Sequence, residues 1–116
     1  MNIFDQFIKL SCSIEIIVPS TIDVDKPIDN AEYVNKTMDF LIEKFGGATA
    51  QNPAIGGWQS SQGFKIKEGI TSVISYMNET DYEDKKLDCV KFIHFLKLEL
   101  KQEAMFAKFN GVAYLI

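Results

Sequence analysis

The chain has 116 residues, of which 47% are hydrophobic and 24% charged. That composition suits one soluble domain with one core, and it excludes both a disordered tail and two independently stable domains. Twelve basic residues against sixteen acidic ones give a net charge of −4, and every basic residue is a lysine; without the guanidinium fork that reads base edges and clamps phosphates, a nucleic-acid partner is not expected.

No apolar run approaches the ~18–20 residues that span a bilayer, so no membrane partner is expected either. Met1 to Leu10 contains Asp5 and lacks a basic leader and a small-residue cleavage site, so it reads as part of the fold. The expectation is a cytoplasmic protein whose single domain covers residues 1–116.

The first element is an alternation. Leu10, Cys12, Ile14, Ile16 and Val18 fall on one side, with Ser11, Ser13 and Glu15 on the other. Period two over this length predicts a half-buried strand, ended by Pro19. Ser20 to Asn30, with Asp23, Asp25, Pro27 and Asp29, reads as a loop.

A helix follows. Asp29 with Glu32 fits a capping box, with Asn30 as the alternative cap. Val34, Met38, Leu41, Ile42 and Phe45 form its apolar stripe, and Gly46 suits the left-handed position after the last turn. Ala48 to Phe64, punctuated by Gly56-Gly57 and Gly63, predicts one or two short strands around a Gly-rich turn. Gly69 to Met77 is rich in β-branched and aromatic residues and predicts another strand.

Thr80 and Glu83 match a capping box for a second helix running to about Glu103. Met105–Phe109 and Val112–Ile116 flank Asn110-Gly111, which predicts a tight hairpin. The order β-α-β-β-α-β plus a terminal hairpin predicts an α+β, ferredoxin-like split βαβ, a two-layer sandwich with both helices on one face of an antiparallel sheet.

The runs Val18-Pro19-Ser20-Thr21, Asp29 to Val34, Phe45-Gly46-Gly47-Ala48-Thr49, Gly57-Trp58 and Lys67-Glu68-Gly69-Ile70-Thr71 resemble an uncharacterised family of small bacterial proteins, often carried by plasmids, prophages or other mobile regions. The resemblance covers about Ile14 to Ile116. It implies a recurrent design in a ferredoxin-like shell and an accessory role in a mobile element, and no activity comes with it.

The chemistry-bearing residues are few. Asp23, Asp25 and Asp29 lack the mid-loop Gly and terminal Glu of a helix-loop-helix calcium site, so they read as a solvated loop and no metal or other cofactor is expected. His94, the sole histidine, lies within the second helix and reads as a surface or interface residue. Cys12 and Cys89 read as small buried hydrophobes. Asn35-Lys36-Thr37 and Asn78-Glu79-Thr80 match the glycosylation pattern by chance.

Two candidates remain. Around Trp58, glycines permit close backbone approach and the indole offers a stacking face. A small-molecule pocket there would use Trp58, Glu68, Tyr76 and Thr49, with Glu68 orienting the ligand or acting as acid or base. On the second helix, Cys89, Phe92, Ile93, Leu96 and Leu100 suffice for one buried face. Leu87, Phe95 and Leu98 then lie on the opposite flank and predict an interface, in a homo-oligomer or with another protein. The leading expectation is an oligomeric interaction module with no nucleophile–base pair. The alternative is a small enzyme or ligand-binding protein with its pocket near Trp58 and Glu68.

Overall fold

A computed structural model describes residues 2–23 and 25–116; Met1 and Val24 lie outside them. The elements are strands β1 (Cys12–Pro19), β2 (Thr21–Ile22) and β3 (Lys26–Pro27), helix α1 (Ala31–Phe45), strands β4 (Thr49–Gln59) and β5 (Lys65–Met77), helix α2 (Glu79–Glu99), and strands β6 (Phe106–Phe109) and β7 (Val112–Leu115). β1, β4, β5, β6 and β7 form one five-stranded sheet in the order β4-β5-β1-β6-β7, and every neighbouring pair is antiparallel. The first four strands in that order reproduce the split βαβ arrangement, and β7 extends it at one edge.

The alternation in β1 sets the layers. Cys12, Ile14, Ile16 and Val18 are buried with Leu41 of α1 and with Cys89, Ile93 and Leu96 of α2. The helices meet each other through Phe40 and Phe92, stacked with ring centroids 4.3 Å apart and planes 8° apart. Lys85 reinforces the joint by donating to the Lys44 carbonyl at 2.7 Å.

Local differences from the sequence expectations have identifiable causes. β1 starts at Cys12 and not at Leu10, because its neighbour β5 ends at Met77, the residue opposite Cys12. Leu10 therefore has no cross-strand partner and is exposed. The Asp29–Glu32 capping box does not form. Asp29 accepts from the Ala31 N–H at 3.0 Å, Glu32 pairs with Lys36, and the Asn30 amide reaches the Val18 carbonyl and the Thr71 hydroxyl, each at 3.3 Å. Helix α2 is capped by Asn78, whose Oδ1 accepts from the Asp81 N–H at 2.8 Å, so Thr80 falls inside the first turn.

The Ala48–Phe64 region holds one long strand, Thr49–Gln59, followed by a turn, and β5 begins at Lys65 instead of Gly69. Because β1 ends where Pro19 meets Ile70, the remainder of β4 and β5 projects past the sheet as a two-stranded ribbon. The terminal hairpin forms as expected. Asn110 and Gly111 both take positive φ, 53° and 78°, as a two-residue turn of this kind requires.

Candidate functional site

The face of the sheet away from the helices carries the site. On β1 the half-buried residues that alternate with the buried ones are Ser13, Glu15 and Ile17, and Pro19, itself buried, ends the same face. Register transfers this face outward, since Pro19 is paired with Ile70, Ala54 with Ile70, Gly56 with Glu68 and Trp58 with Ile66. Ile17, Ile70, Glu68 and Trp58 thus share one surface, with Trp58 and Glu68 on the projecting ribbon.

The opposite wall is the turn between α2 and β6. Helix α2 stops at Leu100 because Lys101 adopts a left-handed conformation, φ 49°. The Lys101 N–H then donates to the Leu98 carbonyl at 3.3 Å and the Gln102 N–H to the Lys97 carbonyl at 3.0 Å. This is the paired capping pattern that satisfies the last helical carbonyls, usually built on glycine. It directs Gln102, Glu103 and Ala104 back across the end of the sheet.

Two sets of hydrogen bonds hold this turn against the ribbon. Glu103 accepts from the Ser61 N–H at 3.2 Å and from the Ser61 hydroxyl at 3.0 Å, joining the turn to the ribbon tip. Gln102 is buried, and its amide donates to the Thr21 carbonyl at 3.0 Å and to the Leu100 carbonyl at 3.1 Å. The Thr21 hydroxyl, itself buried, donates to Glu68 Oε2. Glu68 is therefore fixed by a chain of contacts that begins at the end of α2.

Between these walls lies a cavity of about 610 Å³, lined by Ile17, Ile70, Trp58, Met105, Phe106 and Leu115 with Glu68, Gln102 and Glu103. That volume suits a drug-sized small molecule. Gly56 opens its floor: a Cβ there would meet Ile70 Cγ2 at 3.1 Å. Two carboxylates and no lysine or histidine line the cavity among the described residues. In such a partly desolvated setting, an uncompensated anionic lining favours a cation and disfavours a phosphate. Trp58 and Phe106 add aromatic faces for a planar group and for cation–π attraction.

The structure brings Trp58 and Glu68 into one cavity and does not bring Thr49 or Tyr76 there. Thr49 is paired with Ile74 and Tyr76 with Ser13. At ~3.3 Å per residue, Tyr76 lies about 26 Å along β5 from Glu68 and Ile74 about 20 Å. All of these residues share the outer sheet face, so a shared face was mistaken for a shared place. The sequence reading missed Thr21, Gln102, Glu103, Met105 and Phe106. The capping turn that delivers four of them has lysine where glycine would have announced it.

The other candidates fall as follows. His94 is exposed on α2. Asp23 pairs with Lys26 at 3.3 Å, and no cluster of three potential metal ligands occurs among the described residues. Cys12 and Cys89 are buried and free, and burial pushes the Cys89 thiol up to about 12, which makes it a poor nucleophile. Leu87, Phe95 and Leu98 are all exposed; Phe95, the least so, leans on Phe92, with centroids 5.8 Å apart, beneath the Lys36 ammonium. No helix among the described residues is long and apolar enough to cross a membrane.

No family model matches the sequence, and no curated protein matches it significantly. Solved structures do match in fold. A phage SAM lyase in complex with S-methyl-5′-thioadenosine superposes with a TM-score of 0.72 at 18% identity, covering 99% of this chain and 95% of that one. A phage SAM lyase in its apo state gives 0.64 at 20% identity, covering 95% of this chain and 94% of that one. The α+β two-layer fold is common to them and to this chain.

Proposed function

We propose that this chain is a small phage-derived enzyme that binds S-adenosylmethionine in the Trp58–Glu68 cavity and cleaves it to release S-methyl-5′-thioadenosine. One observation carries the reading: among the described residues, the cavity combines aromatic faces with two carboxylates and no cationic side chain. S-adenosylmethionine presents the matching chemistry, a planar adenine and a sulfonium cation with a second positive charge on its amino group. The fold it shares with phage SAM lyases supports the choice of this cation over others. The resemblance to mobile-element proteins points toward the same origin.

The chemistry asks little of the protein. The electron pair of the breaking carbon–sulfur bond goes to sulfur, which turns from sulfonium into neutral thioether. The carbon left behind takes an electron pair from an oxygen of the substrate's own carboxylate and closes a lactone ring, or the neighbouring carbon gives a proton to a cavity carboxylate while its C–H electron pair forms a C=C bond. Because positive charge disappears from sulfur as the bond breaks, a site with little water favours the transition state over the charged ground state. Trp58, Phe106, Met105 and Ile70 exclude that water. Glu68, held by Thr21, orients the substrate's ammonium group by a charge-assisted hydrogen bond. Trp58 and Phe106 bracket the adenine.

Incubation of the full chain with S-adenosylmethionine, followed by mass spectrometry, tests the reading. Release of S-methyl-5′-thioadenosine by the wild type and its loss in Glu68→Gln and Trp58→Ala support it. Unchanged substrate after prolonged incubation with folded protein contradicts it. The mass of the amino-acid fragment then separates ring closure from proton loss.

A second reading is compatible with the first. Leu87 and Leu98 are exposed on the outer side of α2, which favours association with a second copy or another protein.

A further inference from the structure

We propose that the extended segment Phe7–Ser11 of one chain adds as a strand to the open edge of β7 in a second copy, seating Ile8 and Leu10 in the groove between α2 and β7. This goes beyond the ligand-site reading and does not depend on it.

The first observation is the N-terminal arm. Ile3, Phe4, Phe7, Ile8 and Leu10 are each more than half exposed, Ile8 at 90%. The arm is nonetheless locally shaped. Asn2 Oδ1 accepts from the Phe4 N–H at 2.9 Å, and a short 3-10 turn spans Ile3–Gln6. Phe7, just after it, is extended, with φ −108° and ψ 157°. The hydrogen bonds of Asn2–Phe7 among the described residues stay within the arm. An ordered segment with this much apolar surface and no partner among the described residues of its own chain is built to meet another surface.

The second observation is the edge it would meet. Met105 and Ile116 exchange both backbone hydrogen bonds, each at 2.8 Å. By the antiparallel alternation, Tyr114 and Val112 also point their main-chain groups toward β6. The N–H and C=O of Ala113 and Leu115 therefore point outward, along an edge that carries no charged side chain. Sheet edges of this kind are ordinarily covered or blunted.

The third observation is continuity. A groove of about 420 Å³ runs beside that edge, lined by Tyr82, Leu87, Val90 and Tyr114. In a strand, Ile8 and Leu10 share one face and Phe7 and Lys9 the other. An arm paired to β7 puts Ile8 and Leu10 over the groove, and Leu87 gains the cover it lacks. Ile8 and Leu10 then bury their apolar surface in the groove, and the main chain of Phe7–Ser11 satisfies the open edge.

Chain geometry selects a second copy over the same chain. The arm leaves beside the β6–β7 turn, where Ser13 and Asn110 exchange hydrogen bonds at 2.8 and 3.1 Å. From β1, passing β6 and β7 means crossing about three strand spacings, ~14 Å, which takes about four residues. That uses up Ile8–Ser11, and the residues just before them form the 3-10 turn Ile3–Gln6, which does not pair as a strand.

Native mass spectrometry and sedimentation of the full chain across the micromolar range test this, with Ile8→Asp and Ala113→Pro alongside. Ile8 is solvent-exposed in the single chain, and the Ala113 N–H points away from β6, so both variants keep the fold and circular dichroism verifies it. The expected result is a wild-type assembly that both variants reduce to folded monomers, with melting lowered by the stabilisation that association supplied. A wild type that stays monomeric overturns the proposal. So does an assembly that survives both substitutions, which would place the contact on another face. A monomer whose arm amides resist exchange at every dilution also overturns it, by putting the arm on its own chain.

Discussion

The Thr21 hydroxyl donates to the Glu68 carboxylate across 47 residues of sequence, and Gln102 in turn grips the Thr21 carbonyl. Three chain segments thus converge to aim one acidic group: strand β2, the projecting ribbon and the turn after α2. None of the three neighbours another in sequence.

The Thr21 contact predicts a graded effect. A hydrogen bond to a charged partner is worth about 1.5–3 kcal/mol, so Thr21→Val should lower turnover of S-adenosylmethionine by roughly 10- to 100-fold. Thr21→Ser keeps the hydroxyl and should stay close to wild type. Rates of S-methyl-5′-thioadenosine release for the pair are the check, since a purely packing role would penalise serine more than the isosteric valine.

Gly56 predicts a steric effect. Its Cβ would already stand 3.1 Å from Ile70 Cγ2, and anything larger grows into the cavity. Gly56→Leu should weaken ligand binding at least tenfold, about 1.4 kcal/mol, while the ribbon, lying outside the main core, keeps the melting temperature within a few degrees. Calorimetric titration with S-methyl-5′-thioadenosine measures the first and differential scanning the second.

The turn after α2 predicts a gain. A left-handed residue with a side chain costs about 1–2 kcal/mol relative to glycine, and Lys101 is exposed. Lys101→Gly should raise the urea midpoint, with the unfolded chain's extra freedom offsetting part of the gain. No rise would mean that the turn is relaxed by contacts other than its caps.

Cys89 predicts an alkaline weakness. Burial raises its thiol to about 12 in the folded chain, against about 8.5 when unfolded. The folded state then holds a proton that the unfolded state releases, so its contribution is intact below about pH 8.5 and is lost as pH rises toward 12. Cys89→Ala should show a shallower fall in melting temperature between neutral pH and pH 10. An identical slope in both proteins would assign the alkaline loss to other groups.

What was legible in the sequence follows from range. The alternation of Cys12 to Val18, the stripe around Leu41, the Asn110-Gly111 turn and the order of elements are local signals, and together they specify the sandwich. Trp58 and Glu68 were legible because they stand opposite each other's neighbours on one hairpin. Thr49 and Tyr76 were misplaced because periodicity gives the face of a strand but not the distance along it. The second wall was hidden because Lys101 bends the chain without glycine, held there by the Gln102 contacts with Thr21 and Leu100. That strain is sustained by tertiary contacts, and no local pattern records it.

Trp58 is the only tryptophan in the chain, so its fluorescence reports on the cavity directly. Titration of the purified full chain with S-methyl-5′-thioadenosine therefore measures occupancy of the Trp58–Glu68 cavity by the proposed product. A saturable change in Trp58 emission is expected, with Gly56→Leu shifting its midpoint at least tenfold upward. An emission spectrum unchanged up to the solubility limit of the nucleoside, in folded protein, would contradict that occupancy.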